Sequence, residues 1–291
     1  KIVPGSDSDN EVKLKLKART PKDKYLQNIA LIKKQIEEGD YYELNYCNEF
    51  YAENITINPL TVFNRLNESA RAPFSAFFKQ AGRYLLCASP ERFMRKEGDK
   101  LISQPIKGTI RKGATKDEDD WLKAQLLNDI YERAENVMIV DLVRNDLGKS
   151  SVAGSVKVEE LFGIHGFNSV NQMISTVTSS LAPETHFVDA IKNAFPMGSM
   201  TGAPKIEVMK NIERYEDAKR GLYSGAVGYI TPEGDFDFNV VIRSIFYNSA
   251  NQYLSIQAGG AITYDSIPEK EYDELLLKAK GMMHALRAEL E

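Results

Sequence analysis

Two pairs of glutamates have the spacing of one helix face. Glu132 and Glu135 lie at i and i+3 near the end of one predicted helix, and Glu271 and Glu274 repeat that spacing in another. Side chains at this spacing are neighbours on a helix surface. If the two faces met, the carboxylates would form an oxygen-rich site of the kind that binds Mg²⁺. The chain has 41 acidic residues, so such pairs also arise by chance, and two solvated helix faces are the alternative interpretation.

Two basic residues stand where apolar side chains are expected. Lys107 follows Ile106 and precedes a glycine, and a lysine desolvated there can lose its proton near neutral pH and act as a nucleophile. A strand-end lysine that points into water is the alternative. Arg243 falls on the inner face of a predicted strand over 236–247, where it suits bidentate recognition of a carboxylate. An ion pair within the fold explains this arginine equally well.

Two glycine-rich segments are suited to anion binding. The segment 196–205 runs into a predicted helix with Pro204 in its first turn, and the hydroxyls of Ser199 and Thr201 join the free N–H groups of the helix start. Gly259 and Gly260 end a predicted strand and let a ligand approach the backbone closely. An ordinary capped helix and a tight strand end are the alternatives.

Hydrophobic periodicity and turn residues predict the elements that position these residues. Helices are predicted from Thr20-Pro21 to Gly39 and over 59–70, 116–136, 187–195, 203–215 and 267–290. Strands are predicted over 41–51, 73–79, 83–88, on both sides of 97–100, and over 137–141, 222–231, 235–247 and 253–258. Because the strands come in hairpins with helices between them, the sequence predicts an α+β fold rather than alternating βαβ units.

Composition excludes several classes of protein. The chain has 291 residues, 43% hydrophobic and 27% charged, which is typical of a globular domain, and its net charge of −4 gives no reason to expect nucleic acid or an anionic membrane as partner. No apolar run approaches the ~20 residues that cross a bilayer. Cys47 and Cys87 lack metal-type spacing and are predicted to be buried free thiols, as in a reducing cytosol. Neither a dinucleotide-binding nor a P-loop motif is present.

From Gly39 onward the chain resembles the chorismate-utilising enzymes, which include aminodeoxychorismate synthase component I, anthranilate synthase component I, and isochorismate and salicylate synthases. The segments that carry the resemblance are SPERF (89–93), PIKGT (105–109), RAENVMIVDLVRNDLG (133–148), VAGSV (152–156), GSMTGAPK (198–205), YSGAVG (223–228), AGGAI (258–262) and EYDE (271–274). This resemblance implies an α+β fold of two large, mostly antiparallel sheets packed face to face, with helices outside.

The resemblance also implies roles for particular residues. Glu91 corresponds to the general acid that protonates the departing C4 hydroxyl of chorismate, which requires a carboxyl that stays protonated near neutral pH. The implied ligands of Mg²⁺, which holds the ring carboxylate, are Glu135 and Glu274, with Glu132 and Glu271 beside them. The implied substrate-binding residues are Ser199, Thr201, Tyr223, Arg243, Gly259, Gly260 and Lys278.

One position separates the products within this family. Aminodeoxychorismate synthases have a lysine in the motif that reads PIKGT here, whereas anthranilate synthases have alanine. The resemblance therefore implies that Lys107 attacks C2 of chorismate, that ammonia then attacks C4 and expels the lysine, and that the product is 4-amino-4-deoxychorismate. A glutamine amidotransferase subunit is the implied source of ammonia. An anthranilate synthase subunit and a non-catalytic relative that binds a carboxylate ligand are the alternatives.

A second position argues against addition of water. Isochorismate and salicylate synthases place a lysine in the early Gly-Asp strand to activate water, and Glu43 stands there in this chain. Whether Glu43 binds ammonium or is structural stays open. The expected organisation is a flexible leading segment over 1–20, the remnant of a longer N-terminal region, followed by a chorismate-binding catalytic domain over 21–291. The expected location is the cytoplasm.

Overall fold

The computed structural model describes residues 14–167 and 170–291, which divide into two compact units. Unit 1 contains the described chain up to Pro90 together with Pro204–Ser224 and Val241–Glu291. Unit 2 contains Glu91–Ala203 and Gly225–Val240.

The described residues form strands and helices with the following bounds. The strands are β1 (Leu14–Ala18), β2 (Glu43–Ala52), β3 (Phe74–Gln80), β4 (Arg83–Ser89), β5 (Arg92–Glu97), β6 (Lys100–Gln104), β7 (Ile106–Arg111), β8 (Lys157–Gly166), β9 (Val170–Ser180), β10 (Gly202–Ala203), β11 (Ala226–Ile230), β12 (Phe236–Val240), β13 (Ser244–Asn248), β14 (Tyr253–Ile262) and β15 (Ala288–Leu290). The helices are α1 (Lys22–Glu38), α2 (Pro59–Ala70), α3 (Lys116–Asn128), α4 (Ile130–Gly148), α5 (Phe187–Ala194), α6 (Lys205–Tyr215) and α7 (Pro268–Leu286).

Unit 1 is built around one sheet with the strand order β15-β1-β2-β14-β13-β4-β3. All neighbours in it are antiparallel except β1 and β15, which run parallel. Apolar side chains of α1, including Ile29 and Ile32, and of α7, including Leu275, are buried in one hydrophobic cluster with the residues of β2 and β14. Burying each such side chain contributes about 1.5–3 kcal/mol, so this cluster holds the helices against the sheet.

Unit 2 contains a seven-stranded antiparallel sheet with the order β11-β12-β5-β6-β9-β7, and β8 also pairs with β9. Strand β9 thus pairs with β6 and β7 and with β8. Two register shifts interrupt the pairing of β8 with β9, and one lies between Ile106 and Thr109 of β7. The helices of this unit are α3, α4 and α5.

The predicted α+β class with two mostly antiparallel sheets is confirmed, and several elements match closely. Helix α2 has the predicted bounds, and β3 and β4 form the predicted hairpin. Helix α1 ends at Gly39, whose φ of 87° is the left-handed conformation that glycine adopts most readily. The helix begins at Lys22 with Pro21 as its N-cap, and the backbone N–H of Thr20 donates to Asn48 Oδ1.

The predicted strand over 137–141 is wrong, because these residues lie inside helix α4. The run Val-Met-Ile-Val is apolar on every side, and such a run fits a buried helix as well as a strand. The predicted helix over 116–136 is two helices, since Asp129 breaks it and caps α4. The Asp129 carboxylate accepts hydrogen bonds from the backbone N–H groups of Tyr131 (2.9 Å) and Glu132 (3.1 Å).

The predicted strand over 235–247 is also two elements, β12 and β13. Arg243 lies between them with a φ of 51°, so it does not occupy the inner face of a continuous strand. A non-glycine residue at positive φ is uncommon and is not visible in a pattern of alternating side chains.

Strands β1, β7, β8, β9 and β15 were not anticipated. Residues 14–18 of the predicted leading segment form β1, while residues 1–13 lie outside the described residues. The predicted last helix ends at Leu286, and its final residues form β15 instead. Cys47 and Cys87 are buried free thiols, as predicted. Among the described helices, none combines the length and the apolar character needed to span a bilayer.

Candidate active site

Unit 2 places Glu91 at the start of β5, directly before Arg92. Glu91 is 7% exposed, and its carboxyl accepts a hydrogen bond from Ser199 Oγ at 2.7 Å. Burial raises the pKa of Glu91 to about 7, although the Ser199 hydroxyl and the charge of Lys107 each act to lower it. The side chain therefore carries its proton for much of the time at neutral pH, as a general acid must.

Lys107 lies on β7 at the register shift described above. A shift of this kind re-aims the side chains beside it. Its ammonium is 3.0 Å from Glu135 Oε2 on α4, and the two side chains are 14% and 30% exposed. The lysine therefore does not point into water.

Gly108, the next residue, has a φ of 91° and lies close to Glu132, the other predicted glutamate of α4. A Cβ at this position would come within 3.2 Å of Glu132 Oε2 and 3.0 Å of Leu126 Cδ1. Both predicted glutamates of α4 thus lie next to β7. Asn136, one residue after Glu135, accepts a hydrogen bond through Oδ1 from Ser175 Oγ of β9 at 2.5 Å. This bond fixes α4 against the sheet at the turn that carries the glutamates.

The predicted anion-binding segment takes a shape different from a helix N-terminus. Gly198–Met200 form a 3₁₀ turn, and Pro204 is the N-cap of α6 rather than part of its first turn. Ser199 directs its hydroxyl to Glu91. The Thr201 hydroxyl is buried and donates to the carbonyl oxygens of Met197 (3.0 Å) and Gly198 (3.3 Å), so its proton is used within the turn.

Unit 1 contains Tyr223 and Arg243, which the resemblance assigns to the substrate. Tyr223 is buried, and its hydroxyl accepts a hydrogen bond from Cys47 Sγ at 3.5 Å. Burial raises the pKa of Tyr223 well above its usual value, so the phenol stays neutral. The Arg243 guanidinium donates to the carbonyl oxygen of Lys278 at 3.3 Å. Burial lowers the pKa of this arginine, and the negative charge of Glu274 opposes that effect.

The two glycines of β14 face different neighbours. A Cβ at Gly259 would come within 2.4 Å of Cys47 Sγ and 2.5 Å of the carbonyl oxygen of Tyr46, so only glycine fits there. A Cβ at Gly260 would lie 3.5 Å from both Glu271 Oε2 and Lys278 Nζ, which is ordinary contact.

Lys278 joins β14 to α7. Its ammonium donates to the carbonyl oxygen of Gly259 at 2.9 Å and pairs with Glu274 Oε1 at 2.6 Å. Unit 1 thus brings together both glycines, both glutamates of α7 and this lysine.

The glutamate pairs suit Mg²⁺ in their chemistry. Glu132 and Glu135 lie beside β7 in unit 2, and Glu271 and Glu274 lie beside β14 in unit 1. A lysine ammonium pairs with one carboxylate of each pair, so a positive charge is already accommodated there. Carboxylate oxygens are the ligands that Mg²⁺ prefers. Across residues 14–167 and 170–291, however, no group of three or more His, Cys, Asp or Glu side chains has the arrangement of a metal site, and Mg²⁺ stays a prediction.

Two side chains near these groups were not identified from the sequence. Cys47 contacts both Tyr223 and Gly259. These contacts follow from the pairing of its strand, β2, with β14, which the sequence does not show. Asp146 lines a cavity together with Glu91, although a carboxylate at a helix end gives no signal of that kind in sequence. Glu43, the departure noted above, is buried at the start of β2.

Comparison with known proteins supports the resemblance. The model of the chorismate binding enzyme family matches residues 4–284. Aminodeoxychorismate synthase component 1 of Escherichia coli (strain K12) is 37% identical over 265 residues, which are 91% of this chain and 58% of that protein. A probable chloroplastic aminodeoxychorismate synthase of Oryza sativa subsp. japonica is 40% identical over 263 residues, which are 89% of this chain and 29% of that protein.

A solved structure agrees. Anthranilate synthase component I from Streptococcus pneumoniae TIGR4 superimposes with a TM-score of 0.85 at 33% identity, over 94% of this chain and 60% of that one. This chain therefore spans only 29–60% of the length of these three proteins. The family match covers nearly the whole sequence, and the chain belongs to the chorismate binding enzyme family.

Proposed function

We propose that this chain aminates chorismate at C4, converting chorismate and ammonia to 4-amino-4-deoxychorismate. The observation that carries the proposal is the arrangement in unit 2, where Lys107 is held at the Glu135 carboxylate and its charge acts on Glu91, a buried carboxyl with a raised pKa. In this proposal the amine of Lys107 is the nucleophile, and the carboxyl of Glu91 is the proton donor. Relatives that carry the name aminodeoxychorismate synthase in bacteria and plants support the same reading.

The proposed reaction has two displacements. Lys107, once its ammonium has lost a proton, attacks C2; both ring double bonds shift by one position, and the C4 hydroxyl leaves as water with the proton of Glu91. Ammonia then attacks C4, both double bonds shift back, and the C2–N bond to Lys107 breaks, which returns the lysine as an amine. The paired Glu135 orients the lysine before attack, and the Ser199 hydroxyl stabilises Glu91 when it becomes a carboxylate.

Unit 1 supplies binding groups in this proposal. Arg243 and Tyr223 hold a carboxylate of the substrate, and the backbone at Gly259 and Gly260 lets the ligand approach closely. When bound at the glutamates, Mg²⁺ would neutralise the ring carboxylate. The proposed supplier of ammonia is a separate glutamine amidotransferase, and the proposed location is the cytoplasm, where the two free thiols stay reduced.

The test is product analysis of the purified chain with chorismate, ammonium chloride and Mg²⁺, by chromatography and mass spectrometry. The expected product is 4-amino-4-deoxychorismate, and Lys107→Ala is expected to abolish it. The matched control is Lys100→Ala, which removes an exposed lysine–glutamate pair of the same unit and should change nothing. Release of anthranilate and pyruvate by the parent chain would favour an anthranilate synthase instead, and full activity of Lys107→Ala would refute the covalent role.

A further inference from the structure

A buried ion pair in unit 1 joins the end of α6 to the turn that leads to Tyr223. Its members are Arg220 and Glu216, and Glu216 is the C-cap of α6. The guanidinium binds the carboxylate at two points, since Nε donates to Oε2 at 2.9 Å and Nη2 donates to Oε1 at 2.7 Å. The two side chains are only 15% and 5% exposed, so the pair is largely shielded from water.

This ion pair binds one edge of β2. Glu49, Cys47 and Asn45 direct backbone groups to the same edge, because alternate residues of a strand do so. At Glu49 the carbonyl oxygen accepts from the N–H of the first residue after β1, and the pairing of β1 with β2 goes no further. Beyond it, Glu216 Oε1 accepts from the N–H of Cys47 at 2.9 Å. Arg220 Nη2 donates to the carbonyl oxygen of Asn45 at 2.8 Å, so the pair holds β2 at two successive backbone groups.

The same arginine holds the turn that contains Tyr223. The carbonyl oxygen of Arg220 accepts from the N–H of Tyr223 at 3.0 Å, and Nη1 donates to Ser224 Oγ at 3.3 Å. Ser224 has a φ of 65°, which is uncommon for a residue with a side chain. The Tyr223 hydroxyl in turn contacts Cys47 Sγ of β2 at 3.5 Å. One ion pair therefore anchors both segments that meet at this hydroxyl.

Stability alone does not explain two charges at this place. Burial removes water from both ions, and well-packed apolar residues of similar volume often stabilise a protein as well as a buried ion pair does. Apolar side chains, however, cannot bind a strand edge and a neighbouring turn in one fixed geometry. A guanidinium does this because it is planar and its N–H donors point in fixed directions. The arginine is therefore better explained by a need for precise placement of Tyr223.

We propose that Arg220, held by Glu216, is a positioning residue that sets the Tyr223 hydroxyl for a carboxylate of chorismate. This inference rests on the proposed function, in which Tyr223 and Arg243 hold that carboxylate. A hydrogen bond weakens steeply when its angle departs from the preferred one, so a small shift of the turn weakens this bond. The bond is made to the bound substrate and persists during the reaction. Its loss therefore raises the Kd and the KM for chorismate and leaves kcat near that of the parent.

A double-mutant cycle tests whether Arg220 acts through Tyr223. Arg220→Lys keeps the charge and loses the planar set of donors, and Tyr223→Phe removes only the hydroxyl. Each change alone is expected to raise the Kd for chorismate, measured by calorimetry, roughly tenfold, as for the loss of one hydrogen bond to a charged group. The double variant should bind chorismate as Tyr223→Phe does, because the hydroxyl that Arg220 positions is already gone. A double variant weakened by the product of the two single effects, roughly a hundredfold, overturns the proposal.

Two further variants separate positioning from loss of folding. The matched control is Arg19→Lys, which alters another arginine–glutamate pair on β2, between Arg19 Nε and Glu49 Oε2 at 3.0 Å, and should leave the Kd unchanged. Ser224→Ala is a milder change, since it removes only the hydroxyl that Arg220 binds. It should raise the Kd roughly threefold, as for a weak neutral hydrogen bond, and this rise should vanish in the Tyr223→Phe background. If Arg220→Lys does not fold, an unchanged Kd in Ser224→Ala overturns the proposal.

Product analysis keeps this inference separate from the proposed function. A parent chain that binds chorismate and gives no 4-amino-4-deoxychorismate refutes the proposed function, and the binding cycle still decides the role of Arg220. Where amination occurs, Arg220→Lys should raise the KM for chorismate with kcat within about twofold of the parent. A fall in kcat at unchanged KM contradicts the positioning role, and a parent that does not bind chorismate overturns both proposals.

Discussion

Glu91→Gln is expected to make the protein more stable above neutral pH while it removes the proposed acid. Glutamine keeps the size of the side chain and can still accept the hydrogen bond from Ser199 Oγ. Unlike glutamate, the glutamine side chain cannot ionise at this buried position. The variant therefore isolates the free-energy cost of burying this carboxylate.

The size of the effect follows from the two pKa values. The ordinary pKa of a glutamate is 4.5, and burial raises the pKa of Glu91 to about 7 in the folded chain. Below pH 4.5 the group is protonated in both states, so it imposes no cost. Between these values the folded state binds the proton more tightly, and stability falls as pH rises. Above pH 7 the carboxyl is ionised in both states, and the loss in the free energy of unfolding has reached its full size. At about 1.4 kcal/mol per unit of pKa difference, this loss is about 3 kcal/mol.

Urea unfolding followed by circular dichroism at pH 5, 6, 7 and 8 measures the difference between Glu91→Gln and the parent chain. The gain in the free energy of unfolding should be small at pH 5, rise through pH 6 and 7, and level off near pH 8. Glu184→Gln, an exposed glutamate of the same unit, is the control and should show no such trend. A gain that does not depend on pH, or one that grows toward acid, would refute the assignment of a raised pKa to Glu91.

Three further predictions follow from contacts at the site. Ser199→Ala removes a bond that favours the Glu91 carboxylate, so the alkaline limb of the pH–rate profile should move up by roughly one pH unit; a move toward acid contradicts this. Asp129→Ala removes the cap of α4 and should lower the free energy of unfolding by about 1 kcal/mol in urea titrations, and an unchanged midpoint would show that the cap is dispensable. Gly259→Ala should lower Tm sharply, because the added Cβ would collide with Cys47 Sγ and the carbonyl oxygen of Tyr46. Gly260→Ala should leave Tm unchanged and weaken the binding of chorismate. Equal Tm values for the two variants would show that β14 relaxes to accept the Cβ at Gly259.

Local sequence signals predicted the elements whose residues depend on near neighbours. Helix α2 and the β3–β4 hairpin are set by Pro59, by the turn at Gly82 and by apolar spacing within each segment. Strand β9 gave no such signal, because its polar residues pair with three other strands and are buried by them. Arg243 was misplaced for a related reason, since its positive φ is imposed by a break in the strand.

The candidate site shows the same division. Motifs marked Lys107, Glu91 and Glu135 individually, and the spacing of the glutamates on α4 was visible in the sequence. The contact between Lys107 and Glu135 was not visible in the sequence. It depends on the register shift of β7 and on the packing of α4 against the sheet. The cavity lined by Glu91 and Asp146 is likewise formed by segments far apart in the chain.

The interleaving of the two units dictates the order in which this chain can fold as it leaves the ribosome. Strand β14 lies between β2 and β13, and β13 lies between β14 and β4, so the strands made first are joined only by strands made last. Unit 2, by contrast, has all its residues once Val240 has emerged. Domains usually fold from the N-terminus during synthesis. Here the unit that carries Glu91 and Lys107 can finish folding before residues Val241–Glu291, which complete the sheet of unit 1, have been made.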